Sequence, residues 1–132
     1  MAAKQLLNYA GFMPHGPNVP HGIRRGDTID YSAIRPAKPD RTTDPDPGKQ
    51  AEQAFENLRL LLEKEGLGFD AVTKVRVYVT KPEYIGPMNQ VWYKHFPMET
   101  NPAARIVIGA AFLPGDDTKI SLDVTAHAPA GR

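Results

Sequence analysis

The stretch "PGKQAEQAFENLRLLLEKEGLGFDAVTKVRVYVT", Pro47 to Thr80, changes its hydrophobic period partway along and so decides the fold class. Ala51, Ala54, Phe55, Leu58, Leu61 and Leu62 fall on one stripe of a 3.6-residue period, while Lys49, Glu52, Glu56, Arg59 and Glu63 fall off it. That pattern predicts an amphipathic helix, with Asp46 as N-cap, Pro47 at the first helical position and Gly66 as the stop. Beyond Gly66 the period drops to two: Val75, Val77 and Val79 alternate with Lys74, Arg76 and Tyr78, as in a strand with one covered face. A helix feeding a half-covered strand points to layered α+β architecture.

Downstream, "EYIGPMNQVWYKHF" reads as a shorter helix starting near Glu83, broken or tightened at Gly86-Pro87, with Met88, Val91, Trp92 and His95 or Phe96 facing inward. Two strands, Ala104 to Phe112 and Lys119 to Ala126, close the chain around the turn "LPGDDT". Upstream, "PHGPNVPHG" and "RPAKPDRTTDPDPG" are loops by their turn chemistry. Between them Gly26-Asp27 signals a turn, and Thr28 to Ile34 reads as a strand in which Ile29, Tyr31 and Ala33 alternate with Thr28, Asp30 and Ser32. An opening strand at about Lys4 to Tyr9 is expected to pair with it as a hairpin. The order strand, strand, helix, strand, helix, strand, strand gives a single domain over residues 1–132, with two helices on one face of a mixed sheet. The other face is left bare, so self-association is expected.

A chain of 132 residues is the size of one ordinary domain. Lys and Arg number 16 against 15 Asp and Glu, and they are scattered, so no clustered basic face for nucleic acid is expected. The sequence has no cysteine, which excludes disulfide scaffolding, thiol nucleophiles, Cys-bound zinc and redox switching. Lys4, Gln5 and Asn8 interrupt the opening "MAAKQLLNYAGFMP", and no later run approaches the roughly 20 apolar residues of a membrane span. A soluble, cytoplasmic protein with no membrane association is the expectation. His15 and His21 share a Pro-Gly loop while His95 and His127 stand apart, so no metal-ligand spacing links them.

The segment "NPAARIVIGAAFLP", Asn101 to Pro114, carries one ionisable side chain, Arg105, directly before an apolar run. A guanidinium keeps its charge at ordinary pH and is costly beside apolar surface unless an anion or a set of acceptors meets it. An internal Asp or Glu, escape of the side chain to water, and a ligand carboxylate gripped by the planar fork are the competing answers.

From Gln50 onward the chain resembles the RidA (YjgF) family of small enamine and imine deaminases. The likeness runs through "QAEQAFENLRLLLEKEGLGFDAVTKVRVYV", "MNQVWYKHF", "ARIVIGAAFLP" and "KISLDVTAHA", in the family's order and with nearly its spacings. The resemblance implies a chorismate-mutase-like α+β fold, assembled as a homotrimer whose sheets face inward and whose clefts lie at the subunit interfaces. It implies a cofactor-independent hydrolysis of a small carboxylate substrate, a 2-enamine or 2-imine acid. In those terms Arg105 is the carboxylate anchor, Asn89 a substrate-binding amide, Asp123 the acid that holds or deprotonates water, and Ser32 a hydroxyl bordering the cleft. A small keto-acid-binding module without turnover is the alternative, and a ribonuclease a third reading that the balanced charge disfavours.

Several positions depart from the family. The usual "SGQ" is "SAI" at Ser32 to Ile34, the last-strand acid is one methylene shorter as Asp123, and Val107 stands where Cys is frequent. "PAR" has become "PAAR" at Pro102 to Arg105, and Asn18 follows Gly16-Pro17 where a Tyr is usual. Tyr9 and Phe12 are candidates for the missing aromatic wall; Asp30 reads either as a local addition to the cleft or as an edge-strand acid facing water, and His21 either as a proton donor or as a loop histidine without a catalytic role. The segment "VPHGIRRGD", Val19 to Asp27, is similar to one in bacterial 2-aminomuconate deaminases, which tilts the expected substrate toward a larger enamine, a dicarboxylate, over the three-carbon 2-aminoacrylate.

Overall fold

A computed structural model describes residues 3–128; residues 1–2 and 129–132, the ends of the domain read over 1–132, lie outside that span. Asp46 caps helix α1 (Pro47–Lys64) by accepting the Lys49 N–H through Oδ2 at 2.9 Å, and Pro47 sits in its first turn. Ala51, Ala54, Phe55, Leu58, Leu61 and Leu62 are all buried, as their spacing requires. The helix stops where Gly66 adopts a φ of +71°, with the Gly66 N–H returning to Glu63 O and the Leu67 N–H to Leu62 O. Asp46→Ala is expected to lower stability by about 1 kcal/mol, read as a lower urea midpoint at unchanged slope.

After a short turn, strand β4 (Val72–Val79) carries the alternation read from sequence. A register shift between Val72 and Lys74 inserts Thr73 as a bulge, so Val72 and Val75 both face the core. Helix α2 (Ile85–His95) begins after a 3₁₀ turn at Pro82–Tyr84 and buries Met88, Val91 and Trp92, with Phe96 just beyond it. Gly86-Pro87 does not break α2, because Pro87 lies in the first turn, where a missing N–H leaves no helical bond unmade. Strands β5 (Ala104–Gly109) and β6 (Ile120–His127) follow. β5 stops short of the expected Phe112, which is largely exposed.

The N-terminal hairpin corrects the sequence expectation. Strand β1 (Gln5–Leu7) pairs with a strand the pattern did not reveal, β2 (Gly22–Arg25), and β2 in turn pairs with β3 (Thr28–Tyr31). The reason is Arg24, opposite Ile29, which occupies a position where a pattern search expects an apolar residue and meets Glu65 at 3.0 Å. β3 also ends three residues early. Ala33 is exposed and Ile34 buried, with Ile34 bridging to Leu122, so the alternation slips after Tyr31.

The sheet order is β1-β2-β3-β6-β4-β5, with β4 and β5 parallel and the other pairs antiparallel. Two helices therefore pack on a mixed six-stranded sheet. The covered face carries Val75, Val77, Leu122 and Val124, while Lys74, Arg76, Tyr78, Asp123 and Thr125 occupy the opposite face, with Ile106 46% exposed beside them. Among the described residues no helix is long and apolar enough to cross a membrane.

Candidate functional site

Arg105 pairs in register with Val75, which puts it on the helix side of the sheet. There its Nη1 donates to Asn89 Oδ1 at 2.7 Å, and its guanidinium carbon lies 5.0 Å from the centroid of the Trp92 ring. Among the described residues no carboxylate pairs with it. The internal Asp or Glu considered from sequence is thus replaced by an amide oxygen and an aromatic face, which orient the fork without neutralising it. Asn89, expected to bind substrate, touches the Arg105 guanidinium itself. Two residues along the same strand face, Val107 helps wall a cavity of about 280 Å³ with Ile85 and Pro82.

Asp123 pairs in register with Arg76, on the opposite face. Its Oδ2 lies 3.6 Å from Arg76 Nη1, both side chains being 41% exposed, so the pair is solvated and of small energetic worth. Asp123 shares a cleft of about 400 Å³ with Tyr31, Ala33, Tyr78, Pro114 and Ser121. Arg76, Tyr78 and Ser121 were not singled out from sequence. The outward phase of β4 and β6 carried them, but only the strand register shows which of those residues surround the acid.

Arg105 with Asn89 and Asp123 with Arg76 therefore lie on opposite faces of one sheet, and a single chain does not bring them together. Ser32 is separate from both. Its backbone N–H donates to His21 O at 3.0 Å, and it is Ala33, next along the chain, that faces the Asp123 cleft. Asp30 lies on a strand flanked on both sides, which corrects its reading as an edge acid, and its Oδ1 accepts from Thr125 Oγ1 at 3.0 Å.

The loop histidines divide by their hydrogen bonds. His21 is buried, its Nδ1 accepting the Tyr9 N–H at 3.1 Å, which leaves Nε2–H to donate to Met13 O at 2.8 Å. Both nitrogens are committed to holding the loop. Tyr9 and Phe12, 5.3 Å apart, surround it and line a cleft of about 470 Å³. The Tyr9 hydroxyl donates to Glu65 Oε2 at 3.0 Å, and burial together with that carboxylate pushes its pKa up to about 12. Among the described residues no three His, Asp or Glu side chains form a metal-ligating group.

His15 is pushed down from 6.5 to about 4 by burial, then by the charges of Arg35 and His21. Its folded value lies below its unfolded one, so as the pH falls from 6.5 toward 4 the unfolded chain takes up the proton first and stability is lost across that window. His95, lowered mainly by burial, adds to the same slope. His15→Asn is expected to flatten the fall in Tm over this range, measured by thermal unfolding at stepped pH.

The sequence profile of the family described as Endoribonuclease L-PSP matches residues 11–128. Protein Mmf1 of Saccharomyces cerevisiae, a mitochondrial protein, is 33% identical over 66 residues, which are 50% of this chain and 44% of that protein. The aligned part thus spans less than half the length of that curated relative. The crystal structure of YEO7 from yeast superposes with a TM-score of 0.88 at 21% identity, covering 96% of this chain and 99% of that one. The structure of Escherichia coli TdcF with bound serine gives a TM-score of 0.84 at 20% identity, over 93% and 98% of the two chains. These two likenesses show the fold.

Proposed function

This chain belongs to the Endoribonuclease L-PSP family, which includes RidA, and from that premise we propose that it is a cofactor-independent deaminase. Its reaction is the hydrolysis of a 2-enamine or 2-imine carboxylic acid to the corresponding keto compound and ammonia. The observation that carries this reading is Arg105, a permanent cation oriented by Asn89 and Trp92 that no carboxylate among the described residues neutralises. A substrate carboxylate supplies the anion, accepting from guanidinium N–H groups that Asn89 leaves available. The bound serine of TdcF is a small carboxylate of the same general kind.

The enamine takes a proton on carbon and becomes the iminium. Water adds to the C=N carbon while Asp123 receives one of its protons, giving the carbinolamine. That proton then passes from Asp123 to the nitrogen, ammonia leaves as the oxygen forms the C=O bond, and the hydroxyl proton is released in place of the one taken up on carbon. Most of the acceleration is assigned to positioning, since the step needs no strong nucleophile. Because the two half-sites lie on opposite sheet faces, the proposed unit is a homotrimer in which Arg105 of one copy and Asp123 of the next share a cleft. A ribonuclease reading is disfavoured by a net charge of +1 with no basic cluster.

An aminomuconate-type enamine of aromatic degradation is the finer substrate reading, supported by the Val19 to Asp27 segment. The purified protein is expected to accelerate ammonia release from freshly generated 2-aminoacrylate or 2-aminomuconate. No acceleration with either overturns the deaminase reading. The "SAI" change at Ser32 to Ile34 and the shorter acid Asp123 favour one alternative, a keto-acid-binding module that keeps Arg105 but not turnover. Calorimetry that shows Arg105-dependent binding of 2-keto acids without turnover would select it.

A further inference from the structure

A cationic cleft adjoins the Asp123 half-site, and the reaction as written above does not use it. Arg35 and Arg41 line a cleft of about 500 Å³ together with Pro14, His15 and Gly115. Ala33 and Pro114 belong to the walls of both this cleft and the Asp123 cleft, so the two spaces are contiguous.

Arg35 is held in place. Its Nη2 donates to Pro14 O, and its carbonyl accepts from Asn57 Nδ2 at 2.8 Å. Its Nη1 lies so near Gly115 that a Cβ there would stand 3.2 Å away. Gly115, at a φ of +105°, therefore both turns the chain and leaves room for the guanidinium. Arg41 reaches the same space from a turn in which its N–H donates to Lys38 O at 2.9 Å. Asp116 is the one acid on the cleft wall, yet among the described residues neither arginine forms an ion pair.

Arg35, half-buried, and Arg41, exposed, border one space with no ion pair among the described residues, and the two guanidiniums repel each other. Burial first, and then the charge of Arg41, lower the Arg35 pKa, while the lowered pKa of His15 keeps that neighbour neutral near pH 7. An oxyanion in the cleft would relieve the repulsion and accept charge-assisted hydrogen bonds from both arginines.

We propose that Arg35 and Arg41 form a second carboxylate subsite, so that the substrate is a dicarboxylate held at one end by Arg105 of a second copy and at the other by this pair, in the shared cleft proposed above. The inference rests on the deaminase reading and on the dicarboxylate expected from the Val19 to Asp27 segment, and it names the residues that hold the second carboxylate. It also gives the pair a part in specificity, because a monocarboxylate leaves both guanidiniums unanswered.

The test uses unreactive keto acids as probes, 2-oxobutyrate with one carboxylate and 2-oxoadipate with two, titrated calorimetrically into the full chain. The diacid is expected to bind at least about tenfold more tightly than the monoacid, as charged hydrogen bonds imply. Arg41→Asn, which suits the left-handed backbone at a φ of +74°, is expected to erase that ratio, as is Arg35→Gln, while Arg35→Lys retains part of it. A ratio near one in the unmodified protein, or a ratio untouched by Arg41→Asn and Arg35→Gln together, overturns the subsite. Inorganic phosphate is the control for a separate anion. Phosphate binding that Arg41→Asn abolishes but that does not compete with the diacid also overturns the proposal. Arg105→Ala separates the two readings, since monoacid binding that ignores it defeats the carboxylate anchor, whereas the diacid ratio of the Arg41 variant judges the second subsite.

Discussion

Arg105→Ala is expected to lower kcat/KM for the enamine acid by about a thousandfold. Each charged hydrogen bond contributes about 1.5–3 kcal/mol, and a fork that makes two to one carboxylate loses both at once. At 1.36 kcal/mol per decade, that range spans roughly two to four decades. Arg105→Lys keeps the charge and loses the planar fork, so an intermediate loss of about 10–100-fold is expected. Asn89→Ala removes an orienting contact 2.7 Å from the guanidinium and is expected to raise KM more than it lowers kcat. Trp92 is the only tryptophan, and its ring lies 5.0 Å from the Arg105 guanidinium, so intrinsic fluorescence reports ligand arrival independently of turnover. Retention of activity within about threefold in Arg105→Ala would remove the anchor from the reaction.

The opposite-face placement of Arg105 and Asp123 gives this result a sharper form. Arg105→Ala and Asp123→Ala are each expected to be nearly inactive alone. If the protein is the trimer proposed above and every site takes its arginine from one copy and its acid from the next, mixed assemblies regain an intact site wherever an arginine-bearing copy precedes an acid-bearing one. Random mixing of equal amounts restores about one quarter of the sites in a cyclic arrangement. Refolding the two inactive variants together and assaying ammonia release measures that fraction. Activity that stays at the level of the separate variants would mean that the two residues do not serve one shared site.

The parts legible in the sequence were those where one face of an element is wholly apolar. The stripe of α1, the alternating valines of β4 and the inner face of α2 emerged because burial there follows a single period. β2 was hidden for the opposite reason: Arg24 turns toward Glu65 and Tyr9 adds its hydroxyl to the same carboxylate, so a polar cluster occupies a place that pattern reading reserves for a hydrophobe. The slip after Tyr31 was equally invisible, since Ala33 and Ile34 are adjacent and both apolar, so either could continue the strand's covered face, yet Ala33 is exposed and Ile34 buried. For the site, the identity of Arg105 was readable and its surroundings were not. Sequence spacing gives the residue type, whereas the parity of the strand register determines the face, and that parity separates Arg105 from Asp123.

Gln50→Leu is expected to cost about 3 kcal/mol, lowering Tm by about 10 °C, although it replaces a fully buried side chain by an apolar one of similar size. Gln50 Nε2 donates to Asp44 O at 2.9 Å and to Asp117 O at 2.8 Å, and its Oε1 accepts the Lys119 N–H at 2.8 Å. One amide thereby fastens the start of α1 to the turn before β6, and leucine would leave three backbone groups without that partner. Solvent reaching the loops limits the loss, which is why the total stays below three full desolvation penalties. Gln50→Glu distinguishes hydrogen bonding from packing. Its carboxylate still accepts from Lys119 but sets negative charge against two carbonyl oxygens, so near neutral pH it is expected to be less stable than the leucine variant. That environment raises the folded-state pKa of the introduced acid above its unfolded value, so its penalty shrinks as the pH falls and the protonated acid donates to one carbonyl. Urea unfolding of both variants at about pH 7 and pH 5 reads the difference. A gap that narrows toward acid assigns the role to the hydrogen bonds, while two variants equally unstable at both values would make Gln50 a space-filler. The distinction bears on function, because the turn that Gln50 fastens also carries Gly115, against which Arg35 is set.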